Sequence, residues 1–128
     1  KHEVVVVVNA PDRIMIEVDK IKFGEALFNI IDNAIQYSPK QRQVVIDISP
    51  DSIRVSDHGI GISKSELPNI AKKYYRTKNA RKRRPNGSGI GLFVTANIIK
   101  KHGFTFVIDS KAHIGTTVVI GIKHARTI

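Results

Sequence analysis

The order of elements legible in this sequence predicts an α+β fold: a two-layer sandwich in which a mixed sheet carries helices on one face. Three observations lead there. Strand-like runs come in consecutive pairs, Val4–Val8 with Ile14–Val18, Gln43–Ser49 with Ser52–Asp57, and Phe104–Asp109 with Thr116–Ile122. Helix-like stretches separate these pairs, whereas a doubly wound parallel sheet would need strand and helix to alternate strictly. The 128 residues, 41% of them hydrophobic, suffice for one core and not for two.

Each element has a local reason. Val4 to Val8 is β-branched throughout and reads as a buried strand; Asn9-Ala-Pro-Asp12 then turns the chain, and Ile14 to Val18 alternates, so the two form a hairpin. Asp19 caps a helix over about Ile21–Tyr37, where Phe23, Leu27, Ile30, Ile31 and Ala34 recur at helical spacing. Ser38-Pro39 stops it. Two short strands flank Pro50-Asp51. Ser63 with Glu66 three residues on resembles a capping box, predicting a short helix to about Tyr75. Ile90 to His102 reads as a helix closed by Gly103, before the last two strands. No internal repeat and no linker interrupts the single domain, residues 1–128.

Composition excludes several classes. With no cysteine there is no disulfide framework and no thiolate metal site, and a reducing compartment is permitted. No apolar run approaches the 18 or so residues of a membrane span, and nothing frames Val4–Val8 as a signal peptide. The net charge is +10, but Lys72–Arg84 holds eight Lys or Arg and no acid, so the rest carries only +2. One basic segment on a nearly neutral chain points to a local anion-handling loop rather than a charged nucleic-acid face.

Two patterns carry chemistry. At about 100° per residue, Glu25, Asn29, Asn33 and Gln36 share one face of the long helix, with Tyr37 at its edge. Asn is a poor helix-interior residue, so two of them one turn apart suggest a task beyond solvation. Their amide oxygens are hard, neutral ligands suited to Mg²⁺ already surrounded by triphosphate oxygens. Tyr37 is either a ligand-facing or a core aromatic. The second pattern is a pair of glycine-rich turns. Asp57-His-Gly59-Ile-Gly61-Ile62 follows a strand, and its Asp offers a carboxylate to an exocyclic amino group. Gly87-Ser88-Gly89-Ile90-Gly91-Leu92 opens a helix, where free backbone N–H groups attract anions. Neither is a P-loop or a dinucleotide fingerprint. The basic loop running into the second turn would bring cations and amides to one polyanion.

With these elements, the chain resembles the catalytic and ATP-binding domain of sensor histidine kinases, in the GHKL superfamily with its Bergerat-type fold. FNIIDNAIQYSP is similar to the N box, VSDHGIGIS to the G1 box, KKYYRTKNAR to the F box, NGSGIGLFV to the G2 box and HIGTTVVIGI to the closing Gly-Thr strand. They stand in family order and cover nearly the whole chain.

The resemblance implies a role for each matching residue. Asn33 ligands Mg²⁺ with Asn29 assisting, and Asn29, Asn33 and Arg76 form the catalytic set. Tyr37 stacks on adenine. Asp57 takes the adenine amino hydrogens, with Thr116 near it through a water. Gly59, Gly61 and Ile62, then Gly87, Ser88, Gly89, Ile90, Gly91 and Leu92, shape the nucleotide floor and a lid that is mobile without nucleotide. Tyr75 and Arg76 form the F-box pair. Gln36 stands where the family usually has Lys, leaving Arg81 or another lid cation to supply that charge. Asn29 stands where gyrase-type relatives have a water-activating Glu, which favours transfer to a protein over hydrolysis.

The activity implied is donation of the γ-phosphate of ATP to a histidine on a separate dimerisation domain, and thence to a response regulator. No acceptor-bearing hairpin precedes Val4, and of the five histidines only His58 is near the G1 turn. The resemblance further implies a cytoplasmic domain, monomeric as a fragment and homodimeric in the intact kinase. Two rivals remain: a GHKL ATPase or anti-sigma-type serine kinase, and a basic nucleic-acid module using Tyr74 and Tyr75 among the cations. The last leaves the Asn stripe and both glycine turns without purpose.

Overall fold

A computed structural model describes residues 4–10, 13–39, 42–70, 72, 91–123 and 126–127. Among them run β1 (Val5–Asn9), β2 (Ile14–Met15), α1 (Lys20–Gln36), β3 (Gln43–Ile48), β4 (Ser52–Ser56), a 3₁₀ turn (Leu67–Asn69), α2 (Gly91–Lys101), β5 (Thr105–Lys111), β6 (Gly115–Gly121) and β7 (Arg126–Thr127). Five strands form a mixed sheet in the order β1-β3-β4-β6-β5, and β2 pairs with β7 in a small second sheet. Only β1 with β3 is parallel within the large sheet.

Strand sidedness builds the core. Val44 and Ile46 of β3, Ile53 and Val55 of β4 and Ile120 of β6 are buried against Phe23, Ala26, Ile30 and Ala34 of α1 and Ile98 and Ile99 of α2. The alternate residues Arg54, Thr105, Val107, Asp109 and Lys111 are exposed, so one sheet face carries the helices and the other faces solvent. The two-layer α+β architecture is thus as the element order predicts.

The opening hairpin is not. β1 pairs in parallel with β3, from Val5 opposite Gln43 to Asn9 opposite Asp47, and β2 pairs with β7 instead. Parallel neighbours need a long crossover, and here α1 supplies it. Nor is the valine run buried: β1 is an edge strand, with Val5, Val6 and Val8 at 54%, 42% and 57% exposure. A β-branched run dictates extended backbone but not its place in the sheet. The alternation of Ile14 to Val18 is real, since Ile16 and Val18 pack against the core.

The helix expected from Ser63 is a 3₁₀ turn containing Pro68. The Ser63 hydroxyl bonds the Glu66 carboxylate (3.3 Å), not the amide a capping box would use. Residues 73–75 lie outside the described residues.

α1 begins where predicted, with Asp19 Oδ1 accepting from the Lys22 N–H (3.0 Å). The same residue anchors α1 to α2, because its backbone N–H donates to His102 Nε2 (3.0 Å). His102 Nδ1 lies 2.7 Å from the Ile98 carbonyl oxygen, so Nδ1 carries the hydrogen. The ring sits 5.6 Å from Phe23 and 5.8 Å from Phe104, centroid to centroid. His102→Ala is expected to lose both hydrogen bonds and the ring contacts, about 2 kcal/mol. Denaturant titration should show a lower midpoint at unchanged slope. A midpoint equal to that of the parent would show that this latch adds nothing to stability.

Candidate functional site

The helices are antiparallel: Phe23 meets His102, and six residues further along α1 Asn29 meets Thr95, seven residues back along α2. Asn33, one turn beyond Asn29, is therefore level with Gly91 at the start of α2. The polar stripe of α1 is exposed at Glu25 and half-buried at Asn29, Asn33 and Gln36, so most of it is not a simply solvated face. The Asn29 amide donates to the hydroxyl of fully buried Thr95 (3.4 Å). That spends a hydrogen of Asn29 and leaves its oxygen available. Among the described residues no hydrogen bond engages the Asn33 amide.

α1 ends as its sequence requires. The Ser38 hydroxyl donates back to the Ala34 carbonyl (2.7 Å), and Pro39 has no N–H to continue the helix. Tyr37 caps the helix, half-buried and outside the apolar core cluster. Its carbonyl accepts from the Ile60 N–H (3.3 Å), which seats the turn after β4 on the end of α1. Gly59 makes that approach possible, since a Cβ there would overlap the Tyr37 carbonyl oxygen.

Asp57 sits at the centre of this turn. Its Oδ1 accepts from the Gly59 N–H (2.8 Å) and the Thr116 N–H (3.1 Å), while its own N–H donates to the Thr116 carbonyl (2.9 Å). Oδ2 accepts no hydrogen bond among the described residues. Burial raises the carboxyl above its ordinary value, opposed by those two N–H groups and by neighbouring His58. His58 itself is exposed, with Nδ1 3.5 Å from the Gln43 carbonyl.

The turn between β5 and β6 closes the other side. His113 N–H donates to the Ile60 carbonyl (2.7 Å), and Ile62 N–H donates to Ser110 Oγ (2.8 Å). Ser110 also contacts the Gly115 carbonyl (2.9 Å) and Thr116 Oγ1 (2.7 Å). Gly61 lies against this turn at φ 68°, a conformation open to glycine.

The structure thus gathers Asn29, Asn33, Gln36 and Tyr37 from α1 and Asp57, Gly59, Gly61, Ile62 and Thr116 from the sheet end, with Gly91 and Leu92 opening α2. Tyr75, Arg76, Arg81, Gly87, Ser88, Gly89 and Ile90 lie outside the described residues. Sequence reasoning missed Thr95 and Ser110. A signal existed for Ser110: it shares strand parity with Phe106 and Ile108, so its hydroxyl stands on an otherwise apolar stripe.

Comparison with known proteins places the chain in a family. The description "Histidine kinase-, DNA gyrase B-, and HSP90-like ATPase" matches residues 18–126. The chain is 35% identical over 123 residues to the sensor histidine kinase WalK of Bacillus subtilis (strain 168), covering 91% of this chain and 20% of that protein. It is 31% identical over 112 residues to the signal transduction histidine-protein kinase ArlS of Staphylococcus haemolyticus (strain JCSC1435), covering 84% and 25%. The chain therefore spans a fifth to a quarter of these relatives. Among solved structures, the mycobacterial sensor histidine kinase MprB superposes with a TM-score of 0.81 at 27% identity, over 98% of this chain and 85% of that one. ShkA, solved full-length in complex with AMPPNP, shares the fold at a TM-score of 0.71 and 18% identity, over 94% of this chain and 25% of that one. With the match running from before α1 to β7, the chain belongs to the histidine kinase-, DNA gyrase B- and HSP90-like ATPase family.

Proposed function

We propose that this domain binds Mg-ATP and donates the γ-phosphate to a histidine on a separate dimerisation domain of the same protein, from which a response-regulator receiver domain takes it. The observation that carries the reading is the Asp57 carboxylate: one oxygen is pinned by two backbone N–H groups, and the other accepts from no donor among the described residues. In a family of ATPases whose similar members include sensor kinases, an adenine amino group is the donor that fits.

The donor set also fits magnesium. No group of three His, Asp or Glu among the described residues could hold an ion alone. Asn33, assisted by the Asn29 oxygen, would instead complete the shell of an ion carried in by the triphosphate. When bound, that ion offsets phosphate charge. Arg76 and Arg81 are proposed from sequence alone to add cations on the same side, and Tyr37 to stack on the base. Phosphoryl transfer asks mainly for positioning and charge, so no nucleophile of the domain's own is needed. Asn29 favours transfer over hydrolysis: an amide takes no proton from water, and this one is turned toward Thr95.

The test is to mix the domain with labelled Mg-ATP and candidate histidine-bearing helical hairpins. Acid-labile label on a hairpin is expected, with ATP and ADP binding at about micromolar affinity. Acid-stable label would indicate a serine kinase, and free phosphate without transfer an ATPase. Asn33→Ala should keep the helix, since Ala is the better helix former. Magnesium should then add little to ATP affinity, while metal-free binding stays near that of the parent. Undiminished magnesium enhancement would return the Asn33 amide to an ordinary half-buried position.

A further inference from the structure

Ser110 makes three contacts through one oxygen. Ile62 N–H can only donate to it and the Gly115 carbonyl can only accept from it. A hydroxyl has one hydrogen and two lone pairs. All three contacts are hydrogen bonds only if that hydrogen goes to Gly115 and one lone pair to Ile62, with Thr116 Oγ1, 2.7 Å away, donating into the second lone pair. The Thr116 hydroxyl is then left with lone pairs only. Its backbone N–H is committed to Asp57 Oδ1, which also takes the Gly59 N–H, while Oδ2 accepts from no donor among the described residues. Asp57 and Thr116 therefore have acceptors to give and no donor.

We propose that Ser110 is a specificity-determining positioning residue of the nucleotide site: by holding the Thr116 hydroxyl as an acceptor beside Asp57, it makes the site favour a purine with an exocyclic amino group over one with a carbonyl at that position. This rests on the reading of the site as nucleotide-binding. An adenine amino group in direct contact brings hydrogens to these acceptors. The guanine or hypoxanthine carbonyl brings lone pairs against lone pairs, and an acceptor left facing an acceptor is costly in a half-buried site. Ser110→Ala removes the lone pair that holds the Thr116 hydrogen. Thr116 is then free to turn and donate, which makes a carbonyl tolerable.

Calorimetric titration of ATP and ITP against the parent, Ser110→Ala, Ser110→Thr and Thr116→Val reads the effect. Ser110→Ala is expected to narrow the ratio of ITP to ATP dissociation constants by about tenfold. Ser110→Thr keeps the hydroxyl and should restore most of the ratio, which loosened packing alone would not do. If Ser110→Ala does not fold, Thr116→Val decides: it should weaken ATP several-fold and leave ITP nearly unchanged. Equal weakening of both nucleotides, or an unchanged ratio in a folded Ser110→Ala, would overturn the proposal while leaving the nucleotide site intact. A parent protein that binds neither nucleotide at millimolar concentration would remove the site reading and this proposal together.

Discussion

Asp57→Asn is expected to weaken ATP binding by about 1.5–3 kcal/mol, the worth of a hydrogen bond to a charged group, and to leave the empty protein at least as stable as the parent at neutral pH. The amide oxygen can replace Oδ1 in accepting from Gly59 and Thr116, so the turn keeps its hydrogen bonds. What is lost is the charged acceptor at Oδ2, where the amide NH₂ would now meet an incoming donor. Stability moves the other way because burial raises the Asp57 carboxyl above its unfolded value. A group shifted in that direction contributes stability below its unfolded pKa and loses it as pH rises through the folded pKa. At neutral pH the ionised Asp57 is therefore a cost held for function, and Asn does not carry it. The stability advantage of the variant should shrink as pH falls into the carboxylate range. ATP affinity of the parent should begin to fall above that range, as Asp57 takes its proton early. Thermal denaturation of both proteins across pH, with calorimetry alongside, measures both signs. Parental ATP affinity in the variant would show that Asp57 does not touch the base.

Gly61→Ala should be the most damaging single methyl group in the site, at about 3–5 kcal/mol. A Cβ there would overlap the Lys111 carbonyl oxygen, and the backbone at φ 68° is strained for any L side chain. The neighbour is backbone, paired across β5 and β6, so it cannot yield as a flexible side chain would. Relief requires the Ile60–Ile62 segment to lift, breaking the bonds to His113 and Ser110 that seat it on the β5–β6 turn. Gly24→Ala is the matched control. Gly24 lies inside α1 with nothing within 4 Å of the place a Cβ would take, so it should gain about 0.5–1 kcal/mol. Denaturant midpoints for the pair are expected to move in opposite directions. A loss under about 1 kcal/mol at Gly61 would mean that the turn is loosely seated.

Elements whose cause is local are legible in the amino-acid sequence. Asp19 and Ser38-Pro39 bound α1 because a cap and a missing N–H act within one turn of chain. Burial alternates residue by residue along β4 and β5 because side chains on a strand alternate by geometry. Asp57 between a strand and a Gly-x-Gly turn, and two asparagines one helical turn apart, mark the site because their residue types are costly unless used.

Partnerships between distant segments are not legible there. Five valines specify an extended strand but not whether it pairs with Ile14–Met15 or with Gln43–Ile48, and the expected hairpin failed on that point. Only the folded chain decided that Asn29 turns to Thr95 and that His102 ties the two helices. It alone brought Ser110, one hydroxyl in an ordinary strand, within 2.7 Å of Thr116 Oγ1. Propensity and capping are set by neighbours in sequence. Sheet order and the sharing of hydrogens are set by which surfaces meet once the apolar faces of α1, α2 and the sheet are buried together.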